Sequence, residues 1–191
     1  MYMEVKMEEK KNKGLSFWIC CFIVYCFIGW IYEVIWEFKV GNGFVNRGFL
    51  YGPYLPIYGF GVLTLLLILH KLINKKIKLF GKINITPILV FLAILVIVSA
   101  IEYAASVGME AIFHKRWWDY SYDKFNINGR ISLRNSSLLA IGAFALIYLV
   151  QPILNKFLTK IPKKALNIIA TIIFLTVSID FIITIMGYIL K

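Results

Sequence analysis

Five stretches of almost unbroken apolar residues constrain this chain more than any other feature: about Leu15–Trp36, Ile57–Leu72, Pro87–Ile112, Leu138–Leu154 and Ala165–Leu190. About 20 apolar residues cross a bilayer as an α-helix, and lipid leaves helices or closed barrels as the only spanning structures. The runs are too long and too continuous for alternating barrel strands. Composition agrees: 60% of the residues are hydrophobic and 16% charged, against about 25% charged in a soluble domain. Too few polar side chains remain to cover a water-facing surface, which excludes a soluble enzyme, a disordered tail and a secreted domain.

The expected fold is therefore an all-α integral membrane protein, a bundle of about five transmembrane helices. A basic tail over residues 1–14 precedes a single transmembrane helical domain over 15–191. The first run follows Lys6, Lys10, Lys11 and Lys13 as a signal peptide would, but it exceeds a signal core in length and no A-x-A site follows it, so it reads as a helix that stays in the membrane. The second run is short, and the Gly/Pro/Tyr-rich stretch before it is expected to be re-entrant, since irregular backbone at membrane depth needs protein or a wet cavity against it. Pro152 is expected to break the fourth helix late.

The net charge is +11, from 21 Lys and Arg against 10 Asp and Glu. No basic stripe with interleaved aromatics stands apart from a membrane segment, so no nucleic-acid partner is read from it. The excess orients the helices instead. Thirteen cationic residues lie in the tail and in the loops after the second and fourth helices, eight on the other side. The bias puts the N-terminus in the cytoplasm of a cell membrane. All four arginines fall in the presumed outer loops. The guanidinium fork suits carboxylate or phosphate better than lysine's point charge does. Cys20, Cys21 and Cys26 sit inside the first run as small hydrophobes, with no zinc spacing and no disulfide framework.

Several residues could carry chemistry. Glu33 and Glu37 are four apart near the outer end of the first helix. Glu102, Ser106 and Glu110 repeat that spacing on the third, with His114 one turn beyond, so each set shares a helix face. Acids at membrane depth are costly and face partners or a wet cavity. One reading is a polar site of Glu33, Glu37, Glu102 and Glu110 closed by loop arginines. A second is a set of ion pairs, such as Glu33 or Glu37 with Arg47 or Arg130, holding the outer rim together. A third is a metal or proton-coupled site, for which the Glu110–His114 pair lacks a second histidine. Asp180 in the fifth helix either bonds a Ser or Thr on a neighbouring helix or lines a substrate or proton pathway. Two loop segments complete the candidates: one with Asn46 and Arg47, the other with Trp118, Asp119, Asn126 and Arg130 and an Asn128-Gly129 turn signal. Each follows a helix ending in acids, which suggests a parallel repeat of helix pairs.

The run Gly29-Trp30-x-Tyr32-Glu33, the stretch Asn46-Arg47-Gly48-Phe49-Leu50 with Gly52-Pro53 and Pro56-Ile57-Tyr58-Gly59, and Trp117-Trp118-Asp119-Tyr120 with Phe125-Asn126-x-x-Gly129-Arg130-Ile131 resemble the CmpB-type ABC-transporter membrane proteins, small integral proteins found mostly in Firmicutes. The resemblance covers about residues 15–150. It implies a multi-span, permease-like transport component and gives no catalytic residues or cofactor. No G-x-x-x-x-G-K-[ST] occurs, Gly81-Lys82 being followed by Ile83, so nucleotide hydrolysis would fall to a separate ATPase subunit docking on short, lysine-rich loops. Glu33, Glu37, Asn46, Arg47, Glu102, Glu110, Trp118, Asp119, Asn126 and Arg130 are then the candidate solute-binding residues, for a small polar or anionic solute. The alternatives are a membrane-embedded enzyme or binding protein acting on a lipid or envelope precursor, or a structural partner protein. Membrane lipids are partners in every case.

Overall fold

The computed structural model describes residues 13–116 and 118–190. The tail lysines Lys6, Lys10 and Lys11, the motif residue Trp117 and Lys191 lie outside the described residues. Five helices are long and apolar enough to cross a membrane: α1 (Leu15–Lys39), α2 (Pro56–Ile73), α3 (Thr86–Phe113), α4 (Leu133–Leu158) and α5 (Lys163–Ile189). Two antiparallel hairpins join them. β1 (Lys78–Leu79) pairs with β2 (Ile83–Asn84) between α2 and α3, and β3 (Asn126–Ile127) pairs with β4 (Ile131–Ser132) between α3 and α4. Residues 40–55 form turns without a regular element.

Two features of α4 differ from the sequence expectation. The helix begins at Leu133 rather than Leu138, because Ser132 caps it by accepting the Asn135 N–H at 3.3 Å and the polar first turn finds partners described below. Pro152 also does not break it. A proline cannot donate to the carbonyl four residues back and its ring crowds that carbonyl. Here residues Leu146–Val150 form a π-helical turn, and the α-helix resumes at Gln151. One wide turn absorbs the mismatch, as π-bulges do.

The packing resolves into two compact units. The first comprises the described residues up to Leu63 and from Leu149 onward. In it α1 packs on α5 and on the end of α4, burying Phe17, Cys20, Cys21, Tyr25 and Cys26. The Tyr25 hydroxyl donates to Gln151, whose amide donates to Asn155 at 2.8 Å, so the buried polar atoms at this seam are satisfied. Two glycines bring α1 and the start of α2 together. A Cβ at Gly29 would lie 2.3 Å from the Tyr58 ring, and one at Gly59 would lie 2.5 Å from Phe22.

The second unit comprises Thr64–Tyr148, where α3 packs on the first half of α4. Val90, Ile94 and Ala140 are fully buried, and Phe91 meets Phe144 edge-on at 5.9 Å. Only 11% of the most apolar window of α3 is buried within the chain. In water that exposure would be untenable, whereas lipid tails are as apolar as the side chains they meet.

Candidate functional site

Each unit carries its own cluster of charge, built on one plan: two acids on a helix face, an arginine from the loop that follows, and a tyrosine hydroxyl on the upstream acid.

In the first unit Glu33 and Glu37 stand on the last turns of α1. Arg47 places its Nε 3.7 Å from Glu33 Oε2 and 3.4 Å from Glu37 Oε1. Tyr58 donates to Glu33 Oε1 at 2.6 Å, and Asn42 donates to Glu37 Oε2 at 2.6 Å. The loop comes back over the acids because its glycines adopt left-handed backbone, with φ of 88° at Gly41 and 116° at Gly48, where a Cβ is penalised. Asn46 fixes the turn by accepting from Trp30 Nε1 at 2.7 Å and donating to the Tyr51 carbonyl at 2.9 Å. Arg47 approaches the acids with Nε, and its terminal nitrogens bond no described residue. Its side chain is 47% exposed.

The same loop is held from α5. Asp180 accepts the backbone N–H of Tyr51 at 3.1 Å and of Gly52 at 2.9 Å, and the hydroxyls of Tyr54 at 2.5 Å and Thr184 at 3.3 Å. Burial first, and then the Asp180 carboxylate, push the Tyr54 phenol above its ordinary range. Both oxygens are engaged, by two backbone N–H groups and one hydroxyl of the loop and by Thr184 on α5 itself. A shallow cleft of about 420 Å³ lies beside it, lined by Tyr51, Tyr54, Thr176, Ile179 and Ile183.

In the second unit the Arg130 guanidinium donates to Glu110 at 2.5 Å and to Ser106 at 3.1 Å and lies over the Tyr103 ring. Arg116 donates to the other Glu110 oxygen at 3.2 Å and to the Asn128 carbonyl at 3.3 Å. Glu102 accepts from Tyr120 and from Ser136, each at 3.2 Å. The loop folds around the Asn128-Gly129 turn, with φ of 54° and 67° and the Arg130 N–H closing on the Ile127 carbonyl at 3.0 Å. These are the signs of a type I′ hairpin turn. Trp118 donates to the Arg130 carbonyl at 2.9 Å. Asn126 accepts from Gly129 N–H at 3.0 Å and donates to the Asp123 carbonyl at 2.8 Å. Asp119 accepts from the Ser121 hydroxyl and backbone N–H, which hold its carboxyl below the ordinary aspartate range. Arg130 is 14% exposed at its side chain, and both of its terminal nitrogens are bonded.

His114 departs from the expected face. It sits at the C-cap of α3 with φ of 52°, so it no longer continues the Glu102–Ser106–Glu110 row. No group of three His, Cys, Asp or Glu residues among the described residues could hold a metal ion.

The sequence marks the acids and arginines but not their hydroxyl partners. Tyr58, Tyr120 and Ser136 complete the clusters, and the first two lie inside motifs already conspicuous as Pro-Ile-Tyr-Gly and Trp-Trp-Asp-Tyr.

Comparison with curated proteins and with solved structures gives no match. A family model does match, over residues 20–185, and its description is Putative ABC-transporter type IV. The match takes in α1, both charge clusters and most of α5, so this multi-pass membrane protein belongs to the CmpB family of ABC-transporter-related proteins.

Proposed function

We propose that the protein is the permease-like membrane component of a transporter, works with a separate nucleotide-binding ATPase subunit, and binds a small polar or anionic solute at the Arg47 cluster. The observation behind this reading is the state of Arg47. It is half-exposed and tethered through Nε, which leaves the terminal edge of its guanidinium to take a carboxylate or phosphate in two parallel bonds. Glu33 and Glu37 outnumber it, so a solute with a hydrogen-bond donor or positive group beside its anionic end suits the site best. Asn46 sets the approach of the loop. The cluster of Glu102, Glu110, Trp118, Asp119, Asn126 and Arg130 has a supporting role in this proposal: Glu110 takes both Arg116 and Arg130, Glu102 and Asp119 are met by hydroxyls, and the cluster shapes the second loop. The lysine bias puts the N-terminus in the cytoplasm and the Arg47 loop outside.

Two measurements test the reading. Mild-detergent purification from native membranes is expected to recover a P-loop ATPase in stoichiometric amount. Arg47→Gln is expected to abolish uptake of the solute identified with that complex, with the protein still in the membrane. Absence of the ATPase together with a bound lipid or envelope precursor would overturn the transporter assignment. Full uptake by Arg47→Gln would overturn the assignment of the site.

A further inference from the structure

The β1–β2 hairpin is amphipathic in a way no packing among the described residues explains. Its register pairs Lys78 with Asn84 and Leu79 with Ile83. Cross-strand partners share a face and neighbours alternate, so one face is Lys78/Asn84 and the other Leu79/Ile83. Leu79 is 44% exposed, Ile83 63%, and Phe80 at the tip 91%. Phe80 and Gly81 occupy the turn with φ of 49° and 71°, and the Lys82 N–H closes on the Leu79 carbonyl at 3.1 Å. The first position of such a turn favours Asn, Asp or Gly. A phenylalanine held there in left-handed backbone, with its ring in the open, is the least economical choice for the turn itself.

The hairpin is also braced. Buried Thr86 at the start of α3 accepts the Ile77 N–H at 2.9 Å and donates to the Lys75 carbonyl at 2.7 Å, and the Ile85 N–H bonds the Ile77 carbonyl at 2.9 Å. Around this platform Lys75, Lys76, Lys78 and Lys82 are all exposed. None of them pairs with a carboxylate among the described residues. Both flanking helices are membrane spans. Strands of two residues rise only about 7 Å, comparable with a headgroup layer of about 5–8 Å.

We propose that this hairpin is a membrane-surface anchor: Phe80, Leu79 and Ile83 enter the boundary between headgroups and acyl chains, and the four lysines bind the phosphates of anionic lipids. Unpaired lysine charge beside an exposed apolar edge is the combination that interfacial anchors use, with the lysine stems lying along apolar surface and their heads at the phosphates.

The test uses the full-length protein with a spin label at Phe80→Cys, reconstituted into phosphatidylcholine vesicles with and without phosphatidylglycerol. Cys20, Cys21 and Cys26 are at most 4% exposed, and the labelled wild type sets their background. With phosphatidylglycerol present, the label is expected to be relaxed by dissolved oxygen and shielded from a water-soluble nickel chelate. Changing Lys75, Lys76, Lys78 and Lys82 together to Gln is expected to return it to water. A second measurement keeps Phe80 intact: the apparent affinity for phosphatidylglycerol, read from lipid retention on the purified protein as lipid is titrated, should fall by about fivefold per lysine removed. A label open to nickel and not relaxed by oxygen in the phosphatidylglycerol vesicles overturns the proposal, and would mark the face as one kept for a soluble protein. A label shielded equally in both vesicle types, with lipid retention unchanged in the quadruple variant, overturns the role of the lysines.

Discussion

Replacing Asp180 by Asn removes charge at almost constant shape and so tests whether α5 holds the Tyr51–Tyr54 loop. The carboxylate accepts from two backbone N–H groups and the Tyr54 and Thr184 hydroxyls. An asparagine can point its oxygen at Gly52 and Tyr54, but its amide then meets the Tyr51 N–H, donor against donor. The Tyr51 bond is lost outright, the Gly52 and Tyr54 bonds fall to neutral strength, and the Thr184 hydroxyl can turn to accept from the new amide. Hydrogen bonds to charged groups contribute about 1.5–3 kcal/mol and neutral ones about 1 kcal/mol, so one bond lost and two weakened sum to about 2.5–7 kcal/mol. The site is half-exposed, so water recovers part of this and about 2 kcal/mol is the expected net loss. For a chain of this size that corresponds to about 4–8 °C in Tm. Asp180→Ala, which offers no acceptor, should lose about twice as much. The assay is thermal unfolding in detergent together with hydrogen exchange at the Tyr51 and Gly52 amides. The exchange readout matters because the loop can detach locally before the helices separate. If both amides exchange at the wild-type rate in Asp180→Asn, and Tm is unchanged in Asp180→Ala, the Asp180 contacts do not hold the loop.

Three further outcomes follow from the geometry. Gly129→Ala places a Cβ 2.4 Å from Ser121 Oγ and 2.5 Å from Asp119 Oδ1 at a φ of 67°, so it should cost about 1–2 kcal/mol and raise proteolysis within the second loop. Gly29→Ala drives a Cβ to 2.3 Å from the Tyr58 ring; it should lower Tm and weaken the Tyr58–Glu33 bond, and a double variant with Tyr58→Ala should recover part of the loss. Asp119 has a folded pKa below its unfolded one. Its contribution is therefore complete above the ordinary aspartate value of about 3.9 and disappears as pH falls through the lower folded value. Asp119→Asn should flatten the acid limb of a Tm–pH curve below about pH 4 and leave the neutral region parallel to wild type.

The five spans are legible in the sequence because a run of apolar side chains long enough to cross lipid has no other stable use. The start of α4 is not legible that way. Arg134, Asn135, Ser136 and Ser137 read as loop, and they are helical because Ser132 caps them while Asp123 and Glu102 accept from Asn135 and Ser136 at 2.8 and 3.2 Å. Pro152 reads as a break, and the π turn that accommodates it has no local signature. For the acids of α1 the sequence allows either Arg47 or Arg130 as partner, and it is Arg47 that meets Glu33 and Glu37 while Arg130 goes to Glu110. The choice among them depends on where Gly48 and the Asn128-Gly129 turn send the chain. His114 shows the converse: i, i+4 spacing predicts a shared face only while the helix lasts, and this one ends at Phe113.

The contacts of Asp180 also bear on how the molecule is made. They join the Tyr51–Tyr54 loop to a residue 126–129 positions later in the chain, and translation proceeds at about 5–20 residues per second, so the loop waits about 6–25 s for its acceptor to be synthesised. Throughout that interval two backbone amides that end up on a carboxylate must find water, lipid headgroups or the insertion machinery instead. Closure of the first unit is thus an event of late biogenesis, and a nascent chain released before residue 180 would retain its early helices with that loop unlatched.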